Sequence, residues 1–221
     1  MRRIMIVALS AALLITTAWV VHGATAGSTG MVGSNPSAAA NPGPPTDNRT
    51  LEHGLRMAKL APLADQLARA RLATAKYATS LRAAKTDGYQ ILTRMIPDMG
   101  WHFLNPTIQG FDVTKPAILV YERHGRRWQL GALEWVFPQQ PEVPLLPGAT
   151  YGSFGAACHY TDGTFVFART QELCATRSPQ TGARFNFWHP DLVTLHVWLW
   201  YPNPDGLYNG TNPYIQPFNH G

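Results

Sequence analysis

The run Leu195-His196-Val197-Trp198-Leu199-Trp200-Tyr201, followed by Pro202-Asn203-Pro204-Asp205-Gly206 and then Asn212-Pro213, reads with the period of two that a β-strand imposes. Leu195, Val197, Leu199 and Tyr201 face one way, and His196, Trp198 and Trp200 the other. The first face is ordinary core. The second sets an imidazole beside two indoles, which costs more to bury than three aliphatic side chains and so needs a reason.

More strand patterns precede it. Residues 117–122 and 128–137 predict a β-hairpin around His124-Gly125-Arg126-Arg127, and in its second strand Leu130, Ala132, Glu134 and Val136 share a face. A carboxylate therefore sits in an apolar row. Carboxylates are almost never fully buried without a partner, so Glu134 is either an edge residue paired with an arginine such as Arg123 or part of a site. Asp162-Gly163 is the turn of a second hairpin, between residues 156–160 and 164–167. Upstream, Gly100 frees the backbone for a turn before Trp101-His102-Phe103, and Asn105-Pro106 ends that short strand. His102 points away from its two aromatic neighbours. Met95, Met99 and His102 also make a soft ligand set of the kind copper accepts, although methionine is an ordinary filler of cores.

Before the strands, Leu63, Leu67, Ala70, Thr74, Tyr77, Leu81 and Ala84 recur at steps of four and three. This apolar stripe predicts one helix over residues 60–85, with Pro62 in its first turn and Asp87-Gly88 as its stop. The fold class that follows is α+β: a long N-terminal helix packed on a mainly antiparallel, curved β-sheet.

The first residues point to export. Arg2-Arg3, an apolar run from Ile4 to Val21 and Ala24-Thr25-Ala26 form the pattern of a secretory signal peptide over residues 1–26. An uncleaved anchor is the alternative, since the run approaches spanning length. Residues 27–49 are rich in Gly, Ser, Ala, Pro and Asn and too poor in apolar surface to repay ordering, which predicts a disordered linker. Residues 50–221 are then a single globular domain. Without Arg2 and Arg3 the 18 basic residues become 16 against 13 acidic ones, and the net charge falls from +5 to +3. That balance is too mild to suggest nucleic acid as a partner, and the membrane is touched only through the signal peptide. In an exported chain Cys158 and Cys174 predict a disulfide, closing a loop of about 15 residues worth on the order of 3 kcal/mol.

Met99-Gly100-Trp101-His102-Phe103-Leu104-Asn105-Pro106, the Leu133-Glu134-Trp135-Val136 strand, and His189-Pro190 followed by Leu195-His196-Val197-Trp198-Leu199-Trp200 with Asn203-Pro204-Asp205-Gly206 and Asn212-Pro213 resemble a family of uncharacterised exported bacterial proteins. Its pattern is M-G-x-H…N-P, an acidic residue in a middle strand, and L-H-V-W-x-W…N-P-x-G…N-P. The resemblance covers most of the chain from the helix to Pro213, leaving out the linker and the cysteine segment. It implies an exported single-domain protein and no particular activity.

His102, Glu134 and His196 are the polar members of three predicted strands, and His189 lies seven residues before His196. If those strands neighbour one another, the imidazoles and the carboxylate converge on an open position suited to zinc, copper or iron. The cupin H-x-H pattern and the helical H-E-x-x-H are missing, and so are G-x-S-x-G, a glycine-rich phosphate loop and a calcium loop. His159 receives no metal role, because its neighbour Cys158 is committed to the disulfide. The first functional reading is an extracytoplasmic protein binding a metal ion or a small apolar ligand, with Trp101, Trp198 and Trp200 as pocket walls. A structural envelope-associated protein with no site comes second, and a metal-dependent enzyme third. The sequence names no reaction.

Overall fold

The structure, a computed structural model, describes residues 48–220. The expected signal peptide and residues 27–47 of the expected linker lie outside them. The described residues belong to one compact unit. Its main element is a curved, fully antiparallel sheet that forms a half-barrel, with strand order β1-β2-β3-β4-β9-β5. The strands are β1 Gln90–Ile96, β2 Gly100–Leu104, β3 Ile118–His124, β4 Arg127–Phe137, β5 Gly152–Phe154 and β9 Leu192–Val197. A second antiparallel sheet, of order β7-β6-β8, is built from β6 Ala157–Tyr160, β7 Phe165–Phe167 and β8 Phe185–His189. Only one helix exceeds seven residues among the described elements, α1 Asn48–Thr74. No helix among the described residues is long and apolar enough to cross a membrane.

The helix predicted over residues 60–85 is not continuous. The chain leaves α1 at Thr74, makes a 3-10 turn at Ala75–Tyr77 and re-enters a short helix, α2 Leu81–Thr86. Hydrogen bonding explains the break. The Ala78 carbonyl accepts from the Leu130 N–H of β4 at 2.8 Å, and the Tyr77 carbonyl accepts from the Tyr121 hydroxyl at 2.9 Å. These bonds hold the break to the sheet, while the Tyr77 carbonyl also closes the turn by accepting from the Ser80 N–H at 3.2 Å. Ser80 then restarts the helix as its N-cap, its hydroxyl accepting from the Ala83 N–H at 3.2 Å. Pro62, expected in a first turn, lies inside α1.

Each face of the large sheet carries its own core. Leu119, Tyr121, Leu133, Trp135, Leu195 and Val197 pack with Ala70, Tyr77, Leu81 and Ala84 on one face. Ile118, Val120, Ala132, Trp198 and Ile215 form a smaller cluster on the other. A bulge decides which residues go where. Val120 pairs with Ala132, but Tyr121 pairs with Leu130, so Gly131 is an extra residue in β4. This moves Leu130 off the face of Ala132, Glu134 and Val136 and into the first core, against the sequence reading. The Gly131 carbonyl accepts instead from the N–H groups of Trp200 and Tyr201.

Two further departures concern the chain's end. The predicted strand 195–201 begins earlier and stops at Val197, and Trp198 donates its N–H to the Leu207 carbonyl. Pro190 separates β8 from β9; without an N–H it cannot extend a ladder, and the chain changes sheets there. A single sheet was expected, and two are found. The small sheet is tied to the edge strand β1: the Arg94 N–H donates to the Gly163 carbonyl at 2.8 Å, and the Arg94 guanidinium binds the Asp162 carboxylate at 2.6 Å. The predicted disulfide is present within this part, joining Cys158 and Cys174.

Candidate metal centre

Strand register carries His102, Glu134 and His196 to the same face. Glu134 of β4 stands directly opposite His196 of β9. His102 of β2 pairs with Val120, which in turn pairs with Ala132, one side-chain step along β4 from Glu134. The three side chains meet. His102 Nε2 is 3.8 Å from Glu134 Oε2, and His196 Nδ1 is 4.0 Å from Glu134 Oε1. One ligand atom from each residue lies within 4.8 Å of the others, and all three residues are buried. Donors about 2.1 Å from a tetrahedral ion stand about 3.4 Å apart, so the widest pair needs to close by up to about 1.4 Å to hold one.

The electrostatics prepare the group for a cation. Burial pulls His102 from its ordinary 6.5 to about 4 and His196 to about 3, so both rings are neutral at physiological pH. Burial likewise raises the Glu134 carboxyl from 4.5 to about 7, with the nearby Thr194 hydroxyl pulling the other way. Neutral imidazoles are the ligand form, and a carboxyl titrating near 7 releases its proton readily to a metal. Thr93, which faces His102 across the β1–β2 ladder, orients that ring: its Oγ1 is 2.8 Å from His102 Nδ1. In the tautomer with the proton on Nδ1, the ring donates to Thr93 and turns the Nε2 lone pair toward Glu134. His196 has no such partner. Both its ring nitrogens are buried without a hydrogen bond, while Trp198 packs against it with centroids 4.9 Å apart and planes tilted by 40°.

The group opens into a cavity of about 240 Å³ between the large sheet and the small one. Leu92, Ile96, Leu104, Ile118, Val136 and Phe154 supply much of its apolar wall. Met99 also reaches it, whereas Met95 does not line it. The tryptophans take other places. Trp101 and Trp200 join the core on the opposite face, where Trp200 donates to Thr74 Oγ1 at 3.0 Å and Arg71 lies over its ring. Trp198 backs His196 without lining the cavity, and its indole N–H is spent on the Asn209 carbonyl at 2.7 Å. Arg123, the expected partner of an edge Glu134, instead donates to the Gly125 carbonyl.

His189 does not join the other three. It lies on β8 and meets His159 of β6, Nε2 to Nε2 at 3.0 Å, where both rings line the same cavity. His159 and Thr93 are the site residues that sequence reasoning passed over. The signal for His159 was its strand position: one residue after Cys158, it must face away from the cysteine and therefore into the space beneath the sheet. Comparison with protein-family models, with curated proteins and with solved structures finds no match to this chain.

Proposed function

We propose that this chain is an exported protein, akin to the exported bacterial proteins whose sequence pattern it resembles, that binds a divalent transition metal through His102, Glu134 and His196. The cavity beside the metal takes a small, mainly apolar molecule, with the metal's open positions meeting its polar end. His196 carries the reading. A buried imidazole with neither nitrogen bonded leaves a cost of about 1–3 kcal/mol per orphaned group, which a bound ion would remove at the nitrogen it takes, Nδ1 facing Glu134. Two histidines and one carboxylate leave coordination positions free, which suits ligand capture; zinc, iron and copper all accept this donor set. The Cys158–Cys174 bond supports export, since such bonds persist in oxidising compartments. On this reading the N-terminal helix is a brace packed behind the sheet, on the face away from the site.

The test is elemental analysis of the untagged chain purified from an exported fraction without chelator. Stoichiometric metal, lost in His196→Ala and Glu134→Ala variants that keep the wild-type circular dichroism spectrum, is the expected result. Protein that stays metal-free after dialysis against zinc, copper and iron in turn overturns it, and leaves the three residues as core.

A further inference from the structure

The pairing of His159 with His189 has a bonding pattern that neutral imidazoles alone cannot satisfy. His159 Nδ1 lies 3.1 Å from the Leu92 carbonyl, and His189 Nδ1 lies 2.6 Å from the Pro190 carbonyl. A carbonyl only accepts, so each Nδ1 carries its ring's proton. Each Nε2 is then a bare lone pair, and the two lone pairs face each other at 3.0 Å. That contact is repulsive unless a cation sits between or beside them. A divalent metal ion accepts both lone pairs and leaves each Nδ1–H donating to its carbonyl.

We propose that His159 and His189 hold a second divalent transition metal ion through their Nε2 atoms, on the opposite wall of the cavity from Glu134. Nitrogens about 2.1 Å from a tetrahedral ion stand about 3.4 Å apart, so the pair has to open by only about 0.4 Å. A linear two-coordinate ion would need about 4 Å, which selects ions that accept two ligands side by side, such as Zn²⁺, Co²⁺ or Cu²⁺. Both Nδ1–H groups already donate to carbonyls, the bond that fixes tautomer and ring orientation in histidine metal sites. The rings are also locked by packing. His159 stacks on Phe187 with centroids 4.9 Å apart and planes 11° apart, and Phe154 lies 5.7 Å from His189. The Asp191 carboxylate beside His189 adds a negative field that favours a cation. The remaining positions face the cavity, so water or the polar end of a bound molecule completes the shell. This site stands on its own geometry and does not require the His102–Glu134–His196 site to be loaded.

The experiment is titration of the metal-free full chain with Co²⁺, followed by calorimetry and by the visible absorption of the bound ion. The wild type takes up two equivalents, and His189→Ala and His159→Gln each take up one. His189 is partly exposed, so its variant keeps the test readable even if His159→Gln does not fold. His196→Ala removes the other equivalent and leaves the His159–His189 signal. A single equivalent that survives His196→Ala and disappears in His189→Ala sinks the first site and keeps this one. Uptake by His189→Ala equal to that of the wild type overturns this proposal, as does a nitrogen NMR spectrum showing a shared proton that added Co²⁺ leaves untouched.

Discussion

Among the described residues, His196 and Glu122 have every side-chain polar atom buried without a partner, and the indole nitrogen of Trp101 is likewise unpartnered. His196 and Glu122 differ in what surrounds them. His196 looks across at Glu134 and His102, so an ion can relieve it. Glu122 lies in a slot made by two glycines: a Cβ on Gly100 would stand 2.7 Å from its Oε1, and one on Gly131 would stand 3.3 Å from it. In metal-free protein, His196→Leu replaces an unsatisfied imidazole by an aliphatic group of similar length. Urea unfolding should therefore show unchanged stability or a gain of about 1–2 kcal/mol. Added zinc should raise the midpoint for the wild type and not for the variant. A loss beyond 2 kcal/mol without metal would mean that the ring is held by a polar partner after all. The sequence singled out Glu134 and passed over Glu122 for a physical reason. Read as the last residue before a turn, Glu122 has water beside it; the strand in fact runs on to His124 and buries it completely.

At the scale of elements, period-two alternation was legible wherever a strand is regular, and failed where a bulge or a hydrogen bond from elsewhere intervened. Alternation set His102, Glu134 and His196 apart within their own strands, while their common face came from the strand order β2-β3-β4-β9, which alternation does not give. Nor does it give the loss of Leu130 from Glu134's face, because the bulge at Gly131 depends on the partner strand's register. The same bulge frees the carbonyl that pulls Trp200 out of alternation, and so the expected tryptophan wall came apart. The helix break has a similar origin: the apolar stripe continues through Tyr77 into α2, but carbonyls in the gap bond to β3 and β4. Gly100, by contrast, was read correctly as a backbone device. Its φ is +117°, and a Cβ there would also stand 2.8 Å from the Tyr121 carbonyl oxygen. Gly100→Ala should therefore cost on the order of 3 kcal/mol and displace His102 two residues on. Chemical denaturation together with metal affinity checks this. A variant of wild-type stability and affinity would show that the turn adapts freely.

Across the whole molecule, the site is a seam between two sheets that the sequence presented as one. Pro190 alone marked the crossing, and a proline also fits a simple turn, so the separation was not legible. One consequence concerns the disulfide. Cys158 lies on β6 beside His159, and its bond to Cys174 closes a loop of the small sheet. The double substitution Cys158→Ser, Cys174→Ser should cost about 3 kcal/mol. Hydrogen exchange should locate the loss in β6, β7 and β8, with β3 and β4 protected as before, and the His159–His189 equivalent of metal should weaken first. Equal loss of protection in both sheets would show instead that they unfold as one unit.

The buried titratable groups of the seam also set a pH profile for the metal-free protein. His102, His159 and His196 have folded values of about 4, 4 and 3 against an ordinary 6.5. The unfolded chain therefore binds more protons as pH falls below about 6.5, and the stability these rings permit is full above that pH and lost below it. Glu134 and Glu122 act in the opposite sense, with folded values of about 7 and 8 against 4.5. Their contribution is full below 4.5 and is lost as pH rises toward those values, because the folded state then holds protons that the unfolded state has released. Each group supplies a slope of at most about 1.4 kcal/mol per pH unit. Between 4.5 and 6.5 three rings outweigh two carboxyls, and above 6.5 only the carboxyls still titrate, so stability should peak near pH 6.5. Glu122→Gln removes one alkaline contribution and should flatten the fall between pH 6.5 and 8. Saturating zinc removes the other, since Glu134 ionises onto the ion, and should shift the maximum upward. Urea midpoints from pH 5 to 9, with and without zinc, measure all of this; a metal-free profile still rising at pH 8 would mean that neither carboxyl is held neutral by the fold.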